Sequence, residues 1–246
     1  PNDLIFFPET KNAKQLPVNQ VVPQINNKKC TYCRKCVDYC EFNAIVVIPP
    51  AQFAEVNQSL CHSCGACEVA CNDQAINEVT VPIGEVNIFL AEDGSRISEG
   101  RLKIGSAMQT LLIKELKRSI PNDTDIIILD SPPGTSCPVV ETVSDANYVL
   151  LVTEPTPFGL YDLKLTVNLL KDMDKEFGVV VNKAGLGNKD VHYFLEKENI
   201  ELLGEIPFDI SYASKYAQGE LSKLFSNDFT SEYEKIAEKL SNVKLV

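Results

Sequence analysis

The sequence predicts an α/β chain: a doubly wound, mostly parallel sheet with a small cysteine-rich domain set into it. Two observations carry this. In the second half, continuous apolar runs at 126–129, 148–152 and 179–181 alternate with helical stripes, the pattern of buried parallel strands joined by crossover helices. In the first third, eight of the nine cysteines form two copies of one spacing.

The elements follow in order. Residues 1–23 hold an apolar piece, Leu4, Ile5, Phe6 and Phe7, then polar residues with Pro8, Pro17 and Pro23. They read as the end of a strand and a linker. Residues 24–82 hold the paired cysteine runs. Within them, 45–48 and 53–56 read as short strands around Pro49 and Pro50, since β-branched residues favour strands. Residues 86–90 and the following Gly94 read as a return hairpin. From 105 the pattern turns to α/β. Met108, Leu111, Leu112, Leu116 and Ile120 share one helical face. Leu160, Leu163, Val167 and Leu170 share another, between the second and third apolar runs. Residues 201–204 read as one more strand, and Phe229, Tyr233, Ile236 and Leu240 as a closing helix. The predicted organisation is 1–23, strand remnant and linker; 24–82, cysteine domain; 83–246, α/β domain.

The cysteine spacing carries chemistry. Cys30, Cys33, Cys36 and Cys40 read C-x2-C-x2-C-x3-C, and Cys61, Cys64, Cys67 and Cys71 repeat it 31 residues later. This run binds [4Fe–4S] cubanes in bacterial-type ferredoxins, where the fourth cysteine ligates the other cluster. The expected ligand sets are therefore Cys30, Cys33, Cys36 and Cys71 for cluster I, and Cys61, Cys64, Cys67 and Cys40 for cluster II. The tails Ala44-Ile45 and Ala75-Ile76 extend the repeat, as a duplicated half-domain requires. Zinc prefers two pairs with a longer gap, and disulfide frameworks suit short secreted chains. Glu41 and Asn72 stand where the ferredoxin run usually has proline, which alters the turn without removing a ligand.

A formal charge of −11 argues against nucleic acid as the main partner. No apolar run approaches the roughly 18 residues of a membrane span, and no signal peptide is visible. Eight thiols in reduced sets imply a reducing, anaerobic cytoplasm. The chain starts at Pro1, not Met, which reads as internal to a longer protein.

A second signature begins where the run 126–129 ends. Asp130-Ser131-Pro132-Pro133-Gly134-Thr135 stands at the carboxyl end of an expected strand, where such sheets bind ligands. An aspartate there can hold Mg²⁺ through water, and a glycine lets a bare N–H approach phosphate. Thr153-Glu154-Pro155-Thr156-Pro157, then Asn182-Lys183-Ala184, then Gly204-Glu205-Ile206-Pro207-Phe208-Asp209 follow. In this order the series resembles the MinD/Mrp/nitrogenase-iron-protein family of P-loop ATPases, and in particular members with an inserted two-cluster ferredoxin domain. The resemblance implies ATP and Mg²⁺ as ligands. It makes Asp130 the Mg²⁺-associated switch residue, Gly134 the phosphate-sensing glycine, and Asn182 the partner of the adenine edge, with Pro207 and Asp209 beside the base. Relatives dimerise around nucleotide, which leaves a homodimer open.

The family's glycine-rich P-loop is missing: the chain has no Gly-Lys dipeptide. Either the sequence is truncated at its N-terminus or ATP binding has been lost, and in both cases no hydrolysis is expected of these residues alone. The expected function is an electron-transfer protein whose ferredoxin insert passes single electrons to redox partner proteins, coupled to ATP in the intact protein. The alternative is an Fe–S scaffold ATPase of the Mrp type. Cys137 lacks a second spare cysteine for a bridging cluster and reads as a buried or redox-idle thiol. His62 adjoins a ligand position and reads as a neighbour, since the cysteine sets are complete. Tyr32 and Tyr39 are expected to pack around cluster I. Lys28, Lys29, Arg34 and Lys35 form a basic spot beside it, offsetting the cluster's charge or steering an acidic partner.

Overall fold

A computed structural model describes residues 11–91, 94–218 and 227–241. They fall into two compact units, one ending at Ile126 and the other beginning at Ile127.

The first unit is built on two long strands. Strand β1 (Lys11–Ile25) pairs antiparallel with β4 (Ile76–Leu90), and β4 pairs antiparallel with β5 (Arg96–Leu102), in the order β1-β4-β5. The stretch expected to be a linker is thus mostly strand. Its prolines misled: Pro17 and Pro23 lie in β1, an edge strand, where a residue without an N–H is tolerated. The expected strand remnant at Leu4 to Phe7 lies outside the described residues. Between the long strands comes a hairpin of β2 (Ile45–Ile48) and β3 (Phe53–Val56), joined by a 3₁₀ turn at Pro49–Ala51, as expected. The return hairpin also forms, with Ala91 N donating to Ser95 O at 2.9 Å. Gly84 is required where β5 joins β4, because a Cβ there would stand 2.3 Å from Arg101 O.

Two short helices, α1 (Lys35–Asp38) and α2 (Ala66–Ala70), carry the cysteine runs. Helix α3 (Gln109–Arg118) carries Leu111, Leu112 and Leu116 of the expected face, with Met108 at its N-cap and Ile120 beyond its end. That face packs on Val18, Ile83, Val86 and Ile88 of the antiparallel sheet, within the first unit. Helical period identifies the buried face but not the surface that buries it.

The second unit holds α4 (Cys137–Val143), β6 (Val149–Thr153), α5 (Pro157–Asp172), β7 (Phe177–Ala184), α6 (Asp190–Glu198), β8 (Leu202–Pro207), α7 (Ile210–Ala217) and α8 (Asn227–Ser241). The strands are parallel in the order β6-β7-β8. Strand β7 is buried on both faces. Val179 and Val181 meet Leu163 and Val167 of α5 with Val191 and Leu195 of α6. Val180, on the opposite face, meets Leu203 and Ile236 of α8. This is the doubly wound arrangement that the apolar runs predicted. The closing helix forms too, although the Phe229 side chain lies outside the described ones.

The first expected strand of this unit does not form. Residues 125–130 have no regular structure, and Ile126 and Ile128 are 79% and 90% exposed. An apolar run becomes a buried strand only when a neighbour accepts its backbone bonds, and no described strand pairs with this one.

Candidate functional site

The two cysteine loops share one backbone plan. Each starts at an asparagine at the end of a strand. Lys28 N donates to Asn26 Oδ1 and Ser59 N to Asn57 Oδ1, both at 3.0 Å. Each then passes through matching left-handed residues: Tyr32 and Ser63 at φ 56°, Arg34 at 66° and Gly65 at 72°, and Asn43 at 51° and Gln74 at 50°. These turns aim N–H groups at sulfur. Tyr32 N points at Cys30 Sγ and Ser63 N at Cys61 Sγ, each at 3.4 Å, while Ala44 N points at Cys40 Sγ and Ala75 N at Cys71 Sγ, each at 3.3 Å.

Reciprocal backbone bonds tie the halves together. Asn26 N donates to Ala75 O, and Asn57 N donates to Ala44 O, both at 2.7 Å. The head of each loop is thereby fastened to the tail of the other. As a result Cys30, Cys33, Cys36 and Cys71 line one cavity, and Cys40 packs against Val22, Ala44 and Cys61. Burial pushes the Cys36 thiol up, and its neighbours Cys30, Cys33 and Cys71 push it further the same way. Burial likewise raises Cys67 to about 11.

This donor set suits soft iron–sulfur ligation. Among the described residues no three His, Cys, Asp or Glu side chains gather closely enough for one metal ion. A cubane spreads four thiolates over four irons, so its ligands stand farther apart than those around a single ion. Asn26 and Asn57 escaped the sequence reading, though they keep the same 31-residue interval as the cysteines. Tyr32 packs with the cysteines as expected, whereas Tyr39 is 62% exposed.

The carboxyl ends of β6, β7 and β8 form a second cluster of groups. Asn182 and Pro207 end adjacent strands, with Asn182 opposite Ile206 and Ala184 opposite Pro207. Asn182 Oδ1 accepts from Lys183 N at 2.9 Å. Lys183 Nζ meets Glu154 Oε1 at 2.6 Å across the strand ends. Thr156 caps α5 by accepting from Gly159 N at 3.0 Å. Gly187 lets its loop cross Pro155, whose carbonyl oxygen would lie 1.5 Å from a Cβ. Asp209 caps α7, accepting from Ser211 N at 2.6 Å and Tyr212 N at 3.3 Å. Its hydrogen bonds from Ser211 and Tyr212 hold the carboxyl below its usual range. Asp130 and Gly134 lie in the exposed stretch before α4, with Gly134 at φ 91°. Cys137 is exposed at the start of α4, not buried as the sequence allowed, because the stretch leading into that helix lies at the surface.

Known proteins give consistent matches. Residues 86–241 match the ParA family, described as NUBPL iron-transfer P-loop NTPase. Residues 29–76 match the 4Fe-4S dicluster domain. Uncharacterized protein MJ0579 of Methanocaldococcus jannaschii is 29% identical over 73% of this chain and 62% of its own length. This chain therefore spans less than two thirds of that relative. Uncharacterized protein MJ0578 of the same organism is 29% identical over 97% of this chain and 82% of its own length. Among solved structures, the MinD cell division protein of Aquifex aeolicus is 22% identical, with a TM-score of 0.47 over 63% of this chain and 68% of that one. The ParA match begins inside β4, while the compact units divide after Ile126. Among the described residues no helix is long and apolar enough to cross a membrane.

Proposed function

The chain belongs to the ParA family of NUBPL-type P-loop NTPases, and from the 4Fe-4S dicluster domain matched at residues 29–76 we propose that it is an electron-transfer protein with two [4Fe–4S] clusters. The segment 24–82 is the carrier, with Cys30, Cys33, Cys36 and Cys71 holding one cluster and Cys61, Cys64, Cys67 and Cys40 the other. The observation that carries this reading is the reciprocal fastening of Asn26 to Ala75 and Asn57 to Ala44, which brings each fourth cysteine to the opposite loop. When bound, each cluster supplies a one-electron couple. The protein's part is to hold the thiolates, aim N–H groups at them and limit water around Cys61 and Cys67, which are buried. A reducing cytoplasm suits such thiols.

In the same reading, ATP with Mg²⁺ binds the 83–246 segment when a P-loop completes the site in the intact protein. Asp130 acts on the metal and Gly134 on phosphate, with Asn182, Pro207 and Asp209 at the base. Hydrolysis also needs a phosphate cradle, which supplies backbone donors, lysine charge and a Mg²⁺ ligand. Residues 1–246 contain none. These residues alone are expected to bind MgATP no tighter than the millimolar range, about −4 kcal/mol.

A second reading is favoured by the iron-transfer description of the matched family: a scaffold that hands clusters to apo-proteins. Two complete four-thiol sets oppose it, because a delivered cluster needs an exchangeable ligand. One experiment separates the two. The anaerobically loaded protein, expected to carry about eight irons and eight sulfides, is reduced and mixed with an apo-ferredoxin or with an oxidised flavodoxin. Bleaching reversed by flavodoxin with iron retained supports the carrier. Iron moving to the apo-ferredoxin supports the scaffold. Stoichiometric zinc without acid-labile sulfide defeats both.

A further inference from the structure

The charge of this chain is unevenly placed. Overall it is −11, yet residues 26–40 carry Lys28, Lys29, Arg34 and Lys35 against a single acid, Asp38. The duplicated stretch 57–71 has no Lys or Arg and one acid, Glu68. Elsewhere cations are often engaged locally: Lys171 with Glu198, Lys183 with Glu154, Arg101 with Glu99, Lys235 with Glu232. Among the described residues none of the four cations of the first loop has an ion-pair partner. Asp73, an acid lining the same cavity, is taken by Thr31 Oγ1 at 2.6 Å.

Arg34 adjoins an uncovered apolar face, and with Lys35 it lines the cavity of Cys30, Cys33, Cys36 and Cys71, while Lys28 and Lys29 lead directly into Cys30. Arg34 Nη1 donates to Val47 O at 3.0 Å, which fixes the guanidinium on the edge of β2. Val47 points into the core. Its neighbours Val46 and Ile48 point outward with Phe53 of β3, at 49%, 46% and 42% exposure. The one acid on that face is Glu55, opposite Val46. An apolar centre beside free positive charge is the make-up of a protein-docking surface.

We propose that this face, beside the cavity of Cys30, Cys33, Cys36 and Cys71, docks an acidic electron-carrier protein. The inference rests on the carrier reading and adds the charge of the partner. It runs against the net charge of the chain, which alone favours a basic partner. Local charge prevails because the Debye length is only about 8 Å at physiological ionic strength, so distant acids are screened from a partner seated here while the four cations are not.

The test is binding, measured by calorimetry on the cluster-loaded, oxidised protein, with cluster content checked by absorbance. The probes are an acidic flavodoxin and basic cytochrome c, from 50 to 500 mM KCl. Flavodoxin is expected to bind more tightly than cytochrome c, and its affinity to fall steadily with salt. Lys28→Glu/Lys29→Glu should weaken flavodoxin about tenfold at low salt, with Lys189→Glu/Lys197→Glu in the other unit as a near-silent control. Phe53→Ser should weaken flavodoxin even at high salt, where charge is screened. Tighter cytochrome c binding, or equal flavodoxin affinity in the Lys28/Lys29 variant with clusters intact, overturns the proposal. Docking by calorimetry, with flavodoxin left oxidised when mixed with the dithionite-reduced, desalted protein, leaves the surface standing and sinks the carrier reading instead.

Discussion

The two cysteine loops have the same backbone and different chemistry. Residues 26–44 and 57–75 share their asparagine starts, left-handed positions and sulfur-directed N–H groups. Their side chains diverge. Arg34 occupies the left-handed site that Gly65 fills in the second loop. Even the equivalent contacts differ in kind. Thr31 meets Asp73 by a hydrogen bond, while at the matching positions His62 stacks on Phe42 with ring centroids 3.9 Å apart. Cys61 and Cys67 are buried, at 8% and 9% exposure, where Cys30 and Cys36 are only half-buried. The ligand spacing fixes the backbone, so the side chains between ligands are free to specialise. One site is cationic and polar at its rim, and the other carries a stacked aromatic pair and two buried cysteines.

The largest expected effect comes from breaking the exchange between the loops. Cys40→Ser should lose the cluster of Cys61, Cys64 and Cys67, and Cys71→Ser the other, each removing about half the iron. Iron analysis with electron paramagnetic resonance on both variants checks this. If each substitution perturbed the cluster of its own loop, the crossed assignment would fail.

A smaller effect sharpens the backbone comparison. Gly65→Ala places a Cβ at φ 72° and should cost about 1–2 kcal/mol. Space is not the obstacle, since the nearest atom to that Cβ is Glu78 Oε1 at 3.5 Å. Arg34→Gly should be close to neutral, because relief of the left-handed strain offsets loss of the bond to Val47 O. Anaerobic thermal denaturation of the loaded variants measures both. Equal effects at the two positions would mean that the loops are not conformational equivalents.

The smallest effect leaves both loops untouched and serves as their control. Asp209 has a lowered pKa from its cap on α7. Its contribution is fully present above the ordinary carboxylate range and is lost as pH falls through the lowered value. Asp209→Asn keeps a capping oxygen without the titration, so the acid-side slope of stability should flatten while cluster absorbance stays constant. An unchanged slope in the variant would remove Asp209 as its source.

How far the sequence could be read depended on how local each signal was. Cysteine spacing is local, so both ligand runs and their repeat were legible. The alternating buried faces of β7 were legible too, because Val179, Val180 and Val181 state their own burial. The fate of 126–129 was not, since it turns on a neighbouring strand. Nor was the packing of α3: Leu112 names a buried face without naming the sheet it meets. In β1 the prolines hid a 15-residue strand, because only tertiary context reveals an edge. At the strand ends, the adjacency of Asn182 and Pro207 on β7 and β8 follows from strand pairing, and the Lys183–Glu154 pair and the crossing at Gly187 depend on two loops meeting.

The reciprocal fastening of Asn26 to Ala75 and Asn57 to Ala44 also sets an order of assembly during synthesis. As the chain leaves the ribosome, Cys30, Cys33 and Cys36 emerge first yet wait for their fourth partner until Cys71 has been made. In the proposed crossed assignment, the set begun later, with Cys61, Cys64 and Cys67, already has Cys40 behind it and is complete four residues earlier. The nascent chain can therefore finish its second site before its first, and a chain stopped between Cys67 and Cys71 would carry one complete thiol set and one of three.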